Sequence, residues 1–263
     1  VAMLHILCSL REALGVTVSA AHFNHRLRGA ESDADMHFCE EFCKRLGVEL
    51  RILEADVASM QQKHESLEEC ARRVRYDFFA EVSDGKKLAT AHNSNDCAET
   101  VLLNLMRGTG LKGLCGVPPV RGNIIRPLIF CTREEVEEYC QSRGLSWVTD
   151  KTNLSTDYTR NKIRHIILPE MLKINGSLFY TMNRMEQSLR EDSDFLDDMA
   201  RQALSEAETT VRLRTPGEED IWKLQPAWSA EKLAKLPKPV QSRAIKLILQ
   251  SGGIEPSALR INN

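Results

Sequence analysis

Apolar positions recur along this chain in two rhythms, one of about three and a half residues and one of two, and the rhythms alternate through its first half. Residues 1–14 place Leu4, Leu7 and Leu14 on one side of a helix that Gly15 stops. Val16 to Ala21, small and β-branched, reads as a strand. Ser32 with Asp35 reads as the cap of a helix carrying Phe38, Cys39, Phe42, Cys43 and Leu46, ended by Gly47. Val48 to Leu53 alternates as a strand does. Ser66 and Glu69 form a capping box for a helix to about Val82, with Leu67, Ala71, Val74 and Phe78 as its apolar stripe. A short strand at Lys87–Ala91, a helix at about Asn95–Met106 and a strand-like stretch at Ile124–Arg126 follow. Thr132 then caps one more helix, to about Ser142. Such alternation predicts an α/β fold with a mostly parallel sheet covered by helices.

Beyond Pro169 the rhythm becomes wholly helical. Met182, Met185, Leu189, Leu196, Met199 and Ala203 repeat at threes and fours, with Asp192, Asp194, Asp197 and Asp198 toward the wet side. Another apolar helix is predicted from Val240 to Gln250. The change predicts a catalytic domain over 1–172 and a smaller helical domain over 173–263.

The chain has 263 residues, enough for two domains, each with its own core. A net charge of −2 supplies no global basic field, so any nucleic-acid contact must come from local patches. No apolar run reaches the roughly 18 residues of a membrane helix. The apolar start, Val1 to Cys8, has no basic leader and no small-residue cleavage site, so it is not read as a signal peptide; the chain is read as entering partway into its fold. None of the eight cysteines forms a Cys-x-x-Cys pair, which favours small buried residues in a reducing cytoplasm over metal or disulfide chemistry.

Four segments carry candidate chemistry. The first is Ala91-His92-Asn93-Ser94-Asn95-Asp96-Cys97-Ala98-Glu99-Thr100, followed by Arg107-Gly108-Thr109-Gly110. It falls where a predicted strand end meets a helix start, the place where open α/β sheets bind ligands. Asp96 and Glu99 share a helix face and could hold Mg²⁺ or an ammonium group, or merely complement the helix dipole. The second, His22-Phe23-Asn24-His25-Arg26-Leu27-Arg28-Gly29, is read as a strand-end loop suited to phosphate contacts. In the third, Arg72 and Arg75 lie together on a helix, away from the Val74 stripe. The fourth, Asp150 to His165, gathers Arg160, Lys162 and Arg164 just before the domain boundary. Ser251-Gly252-Gly253 resembles the start of a phosphate loop, but it follows a helix and Glu255-Pro256-Ser257 does not complete the pattern, so it reads as a turn.

In this order the segments resemble the tRNA(Ile)-lysidine synthetase family. The matching stretches are AAHFNHRLRG from Ala20, ESLEECARRVRYDFF from Glu65, TAHNSNDCAETVLLNLMRGTGLKGL from Thr90, IRPL from Ile125 and DKTNLSTDYTRNKIRHIILP from Asp150. Residues 173–263 resemble the family's helical linker region more weakly. The resemblance implies the Rossmann-like domain of the N-type ATP pyrophosphatases, or PP-loop superfamily. It also implies a cytoplasmic ligase that uses ATP and Mg²⁺. Such an enzyme adenylates the wobble cytidine of a CAU-anticodon tRNA(Ile), and the ε-amine of free L-lysine then displaces AMP to give lysidine.

On that resemblance, Asp96 and Glu99 take the metal or the lysine role, an assignment left open between them. Arg72, Arg75 and Arg160 meet RNA or the adenylate, while His22, Asn24, Ala91 and His92 lie near the nucleotide. A homodimer is left open. Two departures stand out. The family's SGGxDS loop is expected ahead of the first helix and is not in this sequence, so poor ATP binding is expected; and Asn95 stands where an Asp is common. The alternatives are an ATP-dependent tRNA thiolase, disfavoured by the lack of cysteine pairs, and a non-catalytic tRNA-binding remnant.

Overall fold

A computed structural model describes residues 1–26, 29–63, 65–148, 159–214 and 222–254. Arg28, the stretch 150–158 and Glu255-Pro256-Ser257 lie outside the described residues. The chain divides into two compact units, one of Val1–Gly108 with Gly116–Asn183, the other of Thr109–Cys115 with Arg184–Asn263.

In the first unit, α1 (Ala2–Leu14) ends on Gly15, whose φ of 62° lets its N–H reach back to Glu12. The first strand, β1, is Ala20–Asn24 and pairs in parallel with β2, Leu50–Glu54, from Ala20↔Leu50 to Asn24↔Glu54. It therefore starts later than the expected strand at Val16. Its bounds are set by where β2 offers a partner, so His22, Phe23 and Asn24 are strand residues and not loop residues. Between the two strands runs α2 (Ala30–Leu46). Its N-cap is Gly29, at φ 53° and ψ −127°, a conformation that glycine adopts readily. Ser32 is consequently not the cap. It sits one turn inside the helix, buried, and its Oγ has no hydrogen-bond partner among the described residues.

After a 3₁₀ turn at Val57–Met60 comes α3 (Leu67–Ser83), whose Ser66–Glu69 capping box forms as expected. Buried Cys70 and Val74 pack with Val57, and with Phe23 of β1 and Leu53 of β2, tying α3 to the parallel pair. A second small sheet joins β3 (Leu88–Ala89) in parallel with β5 (Ile124–Ile125), which pairs antiparallel with β4 (Val120–Arg121). Further bonds from Leu88 N to Asn123 O and from Thr90 N to Ile125 O carry the pairing to Thr90. Helix α4 (Ser94–Met106) begins four residues later, and α5 (Leu111–Leu114) follows. Next comes α6 (Arg133–Ser142), capped by Thr132 with Glu135 as expected.

A continuous helical run, Thr159 to Ile174, closes the first unit's chemistry: α7 (Thr159–Lys162), a π segment (Ile163–Ile167) and α8 (Leu168–Ile174). Pro169 cannot donate to the carbonyl a turn earlier, and the widened turn directly precedes it.

Most of the long helix α9 (Leu178–Ala207) belongs to the second unit, whose core is Ala200 of α9 with Val240 and Ala244 of α11 (Lys238–Ser251). Met182, Glu186, Ser193 and Ala200 line the buried side of α9, whereas Met185 and Met199 face outward. Between these helices stand α10 (Ala230–Ala234) and an antiparallel hairpin, β6 (Glu208–Arg214) with β7 (Trp222–Trp228). The helical expectation for this region did not include that hairpin. Gly252 and Gly253 form the turn after α11, as expected of Ser251-Gly252-Gly253.

Candidate active site at the N-terminus of α4

The site is assembled by two helices. Asn93 caps α4: its side-chain oxygen accepts from Asp96 N at 3.0 Å, and Asp96 Oδ2 accepts from Asn93 N at 3.0 Å. Ser94 N and Oγ both donate to Cys131 O, and Asn95 Oδ1 accepts from Arg133 N at 2.9 Å. The start of α4 is thus tied to the start of α6. Asn95 fills that bridging place with an amide oxygen, so the Asp common there in the resembled family is not needed for the bond.

One helical turn on, Glu99 is 1% exposed. Burying a carboxylate is expensive unless it is paired and hydrogen-bonded. Here both oxygens are engaged. Arg160 Nε donates to Oε2 at 2.6 Å; Arg164 Nε donates to Oε1 at 2.6 Å and its Nη2 to Oε2 at 3.0 Å. Arg160 Nη2 also approaches Asp96 Oδ1 at 3.4 Å. Arg160 and Arg164 lie four residues apart on the run through the π segment, so one helix face presents two guanidinium forks to one carboxylate. The bond to Glu99 raises the already high pKa of Arg164.

Around this knot lie two cavities. A cleft of about 390 Å³ is lined by Ala91, His92, Asp96, Arg160, Asn161 and Arg164. A second, of about 300 Å³, is lined by Asn93, Asn95, Asp96, Glu134, Arg164 and Phe179 among others. Asp96 and Arg164 border both. His92 shares a 3.0 Å hydrogen bond between Nδ1 and the Thr90 hydroxyl. Burial lowers its pKa, Asp96 opposes the shift, and the charges of Arg126, Arg160 and Arg72 add to it, so the imidazole is held neutral near pH 7.

The structure therefore brings together Ala91, His92, Asp96, Glu99 and Arg160 of the sequence-derived candidates, with the charge of Arg72 acting on His92. It does not bring His22 and Asn24 to either cavity. His22 Nδ1 is 3.5 Å from Cys39 Sγ. Buried Asn24 organises the turn after β1, accepting from Arg26 N at 2.9 Å and donating to Asp33 Oδ1 at 3.4 Å. Arg72 and Arg75 are exposed and flank the Tyr76 ring at 5.5 and 5.8 Å. Arg73 between them is spent on an ion pair with Glu65 at 2.8 Å. Arg164 was read from the sequence only as one cation of the basic segment and given no role of its own, although its i,i+4 spacing from Arg160 is a readable signal. Arg126, buried just after β5, was missed too, and no periodicity marks it.

Magnesium is the ion expected here. Arginines hold both oxygens of Glu99, so its side chain as placed offers a metal no free oxygen. Asp96 fits better: the cap uses Oδ2, Oδ1 has only a long contact of 3.4 Å from Arg160 Nη2, and magnesium commonly takes one or two protein carboxylates with substrate phosphates completing its shell. Among the described residues no cluster of three His, Cys, Asp or Glu side chains could hold a metal without such a ligand.

A strand end, a capped helix start and a cationic cleft are the arrangement of an α/β nucleotide-binding domain, and residues 1–171 match the profile of the PP-loop domain: the chain belongs to that family. Its curated relatives include tRNA(Ile)-lysidine synthases of several bacteria. That of Clostridioides difficile is 41% identical over 206 residues, 76% of this chain and 45% of the relative. That of Bacillus subtilis is 36% identical over 259 residues, 94% of this chain and 51% of the relative. That of Geobacillus kaustophilus is 33% identical over 271 residues, 99% of this chain and 56% of the relative. The chain thus spans about half the length of the curated relatives it matches. Among solved structures, the U34-tRNA thiolase NcsA from Methanococcus maripaludis with its [4Fe-4S] cluster aligns with a TM-score of 0.59 at 19% identity, covering 72% of this chain and 67% of that one. That likeness speaks to the fold alone.

Proposed function

We propose that this chain carries the catalytic domain of a tRNA(Ile)-lysidine synthase, a Rossmann-like PP-loop domain over 1–172, followed by a helical substrate-binding region over 173–263. The reaction adenylates the wobble cytidine of a CAU-anticodon tRNA(Ile) with ATP, and free L-lysine then displaces AMP. The observation that carries the reading is the Asp96–Glu99–Arg160–Arg164 assembly beside His92, set in a domain whose relatives bear that name.

Each residue has a task that follows from its surroundings. Glu99 is an anchor: it fixes both guanidinium planes before substrate arrives, so their remaining N–H groups need no reorganisation as negative charge develops. Arg160, half-exposed, presents its other edge to the cleft and faces the adenylate or the RNA. Asp96 keeps one oxygen, Oδ1, toward the cleft, where it orients the lysine ammonium or a magnesium ion. Magnesium, when bound, neutralises phosphate charge. Neutral His92, with Nδ1 engaged by Thr90, leaves Nε2 to hydrogen-bond a nucleotide. Arg72 and Arg75 supply phosphate contacts on the exposed face of α3. The cytoplasm is the expected place of action.

A thiolase reading finds less support. Burial pushes the thiols of Cys39, Cys43, Cys70, Cys115 and Cys131 up, away from the thiolate that sulfur transfer needs.

The test incubates the chain with ATP, Mg²⁺, radiolabelled lysine and CAU-anticodon tRNA(Ile). RNA-bound label that disappears with Asp96→Ala supports the proposal. Release of AMP that depends on a sulfur donor, with no lysine label, moves the assignment to a thiolase. Neither product from any mixture leaves tRNA binding without catalysis as the account of this chain.

A further inference from the structure

Charge around the cleft does not balance. Arg160 and Arg164 are matched by the carboxylates of Asp96 and Glu99, two cations against two anions. Two more cations have no carboxylate partner among the described residues: Arg72 on α3, and Arg126, which directly follows Ile125, whose carbonyl accepts from Thr90 N two residues before His92. Arg72 is exposed, and water screens it. Arg126 is 8% exposed. Its Nη1 donates to Pro118 O at 2.6 Å and its backbone N–H to Pro119 O at 2.9 Å, while its buried Nε has no hydrogen-bond partner. A guanidinium cannot shed its proton to escape burial. A fold that keeps it inside without a counter-charge carries a cost that a bound anion would relieve.

We infer that Arg126 is a positioning residue for the anionic part of the ligand, its uncompensated charge joining that of Arg72 to draw a phosphate group to the His92 end of the cleft. Arg126 acts through its field and through the Pro118 carbonyl it fixes, not as a group touching the reacting atoms. The inference rests on the nucleotide-site reading above, and it adds a residue that neither the sequence pattern nor that reading assigned.

The groups that bear on His92 are Asp96 from α4, Arg72 from α3, Arg160 from α7 and Arg126 from the segment after β5. Only Asp96 among them is negative, and one of its oxygens belongs to the helix cap. A phosphate therefore meets net positive charge there, whereas an uncharged nucleoside gains nothing from it.

That difference supplies the experiment. AMP and adenosine are titrated calorimetrically into the chain and its variants. Arg126→Gln, which removes charge but keeps a donor for Pro118 O, weakens AMP about tenfold, the weight of one charge-assisted interaction, and leaves adenosine unchanged. Arg126→Lys, which keeps the charge, restores AMP binding. Equal losses for AMP and adenosine in Arg126→Gln reduce Arg126 to a structural anchor of the Pro118 turn and overturn the inference, as does no loss for either. Should Arg126→Gln fail to fold, exposed Arg72→Gln gives the same reading: an unchanged ratio of AMP to adenosine affinity overturns the idea of an uncompensated charge. If the unmodified chain binds neither molecule, the nucleotide-site reading itself falls, and the inference with it.

Discussion

At the residue scale, the proposed site is built around Glu99. Both oxygens are committed to arginines, and almost no water reaches the side chain. Replacing it with Gln leaves two guanidinium groups facing an amide, and removal of one member of a buried pair typically costs about 3 kcal/mol. Urea unfolding of Glu99→Gln is expected to show a loss of that order, accompanied by loss of lysine incorporation. Conservative replacement of surface carboxylates such as Glu49 is expected to leave both unchanged, because exposed pairs contribute little. Ser32 makes the opposite case. Its hydroxyl is buried without a partner inside α2. Ser32→Ala is therefore expected to raise stability by about 1 kcal/mol, seen as a higher urea midpoint with an unchanged slope. A lower midpoint would mean that Ser32 has a role as a cap after all.

At the scale of elements, α3 is held at its start by a capping box and by the Glu65–Arg73 pair, in which Arg73 also donates to Met60 O at 3.1 Å. Hydrogen bonding from Arg73, helped by the Gln62 backbone N–H, lowers the Glu65 pKa from an ordinary 4.5 to about 2. A depressed carboxylate stabilises the fold fully above its unfolded pKa, and that contribution fades as pH falls from 4.5 toward 2. Thermal unfolding of the parent is expected to drop through that window, and Glu65→Gln to remove this part of the decline. The same elements show what a sequence can and cannot disclose. The caps of α3 and α6 were readable because a capping box is a local pattern of four residues. The limits of β1 were not, since they depend on pairing with Leu50–Glu54, thirty residues away. Gly29 displaced Ser32 as the α2 cap because the backbone there takes a positive φ that the side-chain pattern does not announce. The β6–β7 hairpin did leave a signal, the alternation Thr210-Val211-Arg212-Leu213-Arg214, which the helical rhythm on either side masked. In the site, Asp96, His92 and Arg160 were legible as chemistry at a strand end or helix start. The different surroundings of Asp96 and Glu99 were not, because they depend on which oxygens the cap and the arginines occupy.

At the scale of the whole molecule, a net charge of −2 supplies no long-range field to gather the tRNA proposed as substrate. Attraction is confined to patches such as the exposed face of α3, where Arg75 has no carboxylate partner among the described residues. Affinity for tRNA is expected to fall with salt. Arg75→Ala is expected to lower the slope of log affinity against log salt by about 1, with a similar loss for tRNAs of any anticodon. A loss confined to the CAU anticodon would instead make Arg75 a reader of sequence. Among the described residues no helix is long and apolar enough to cross a membrane.

The Glu99 knot also bears on the order in which the molecule comes into being. Its partners lie 61 and 65 residues further along the chain. Closing so large a loop costs entropy that only later contacts return, so such pairings form slowly relative to a helix or its cap. Helix α4 can nucleate from Asn93 and Asp96 alone, but its buried carboxylate has no guanidinium to meet until the segment from Thr159 onward has been made and docked. During synthesis, the cleft therefore exists only after the segment through Arg164 has left the ribosome, and a chain interrupted before Arg160 holds a bare acid where the proposed site should be.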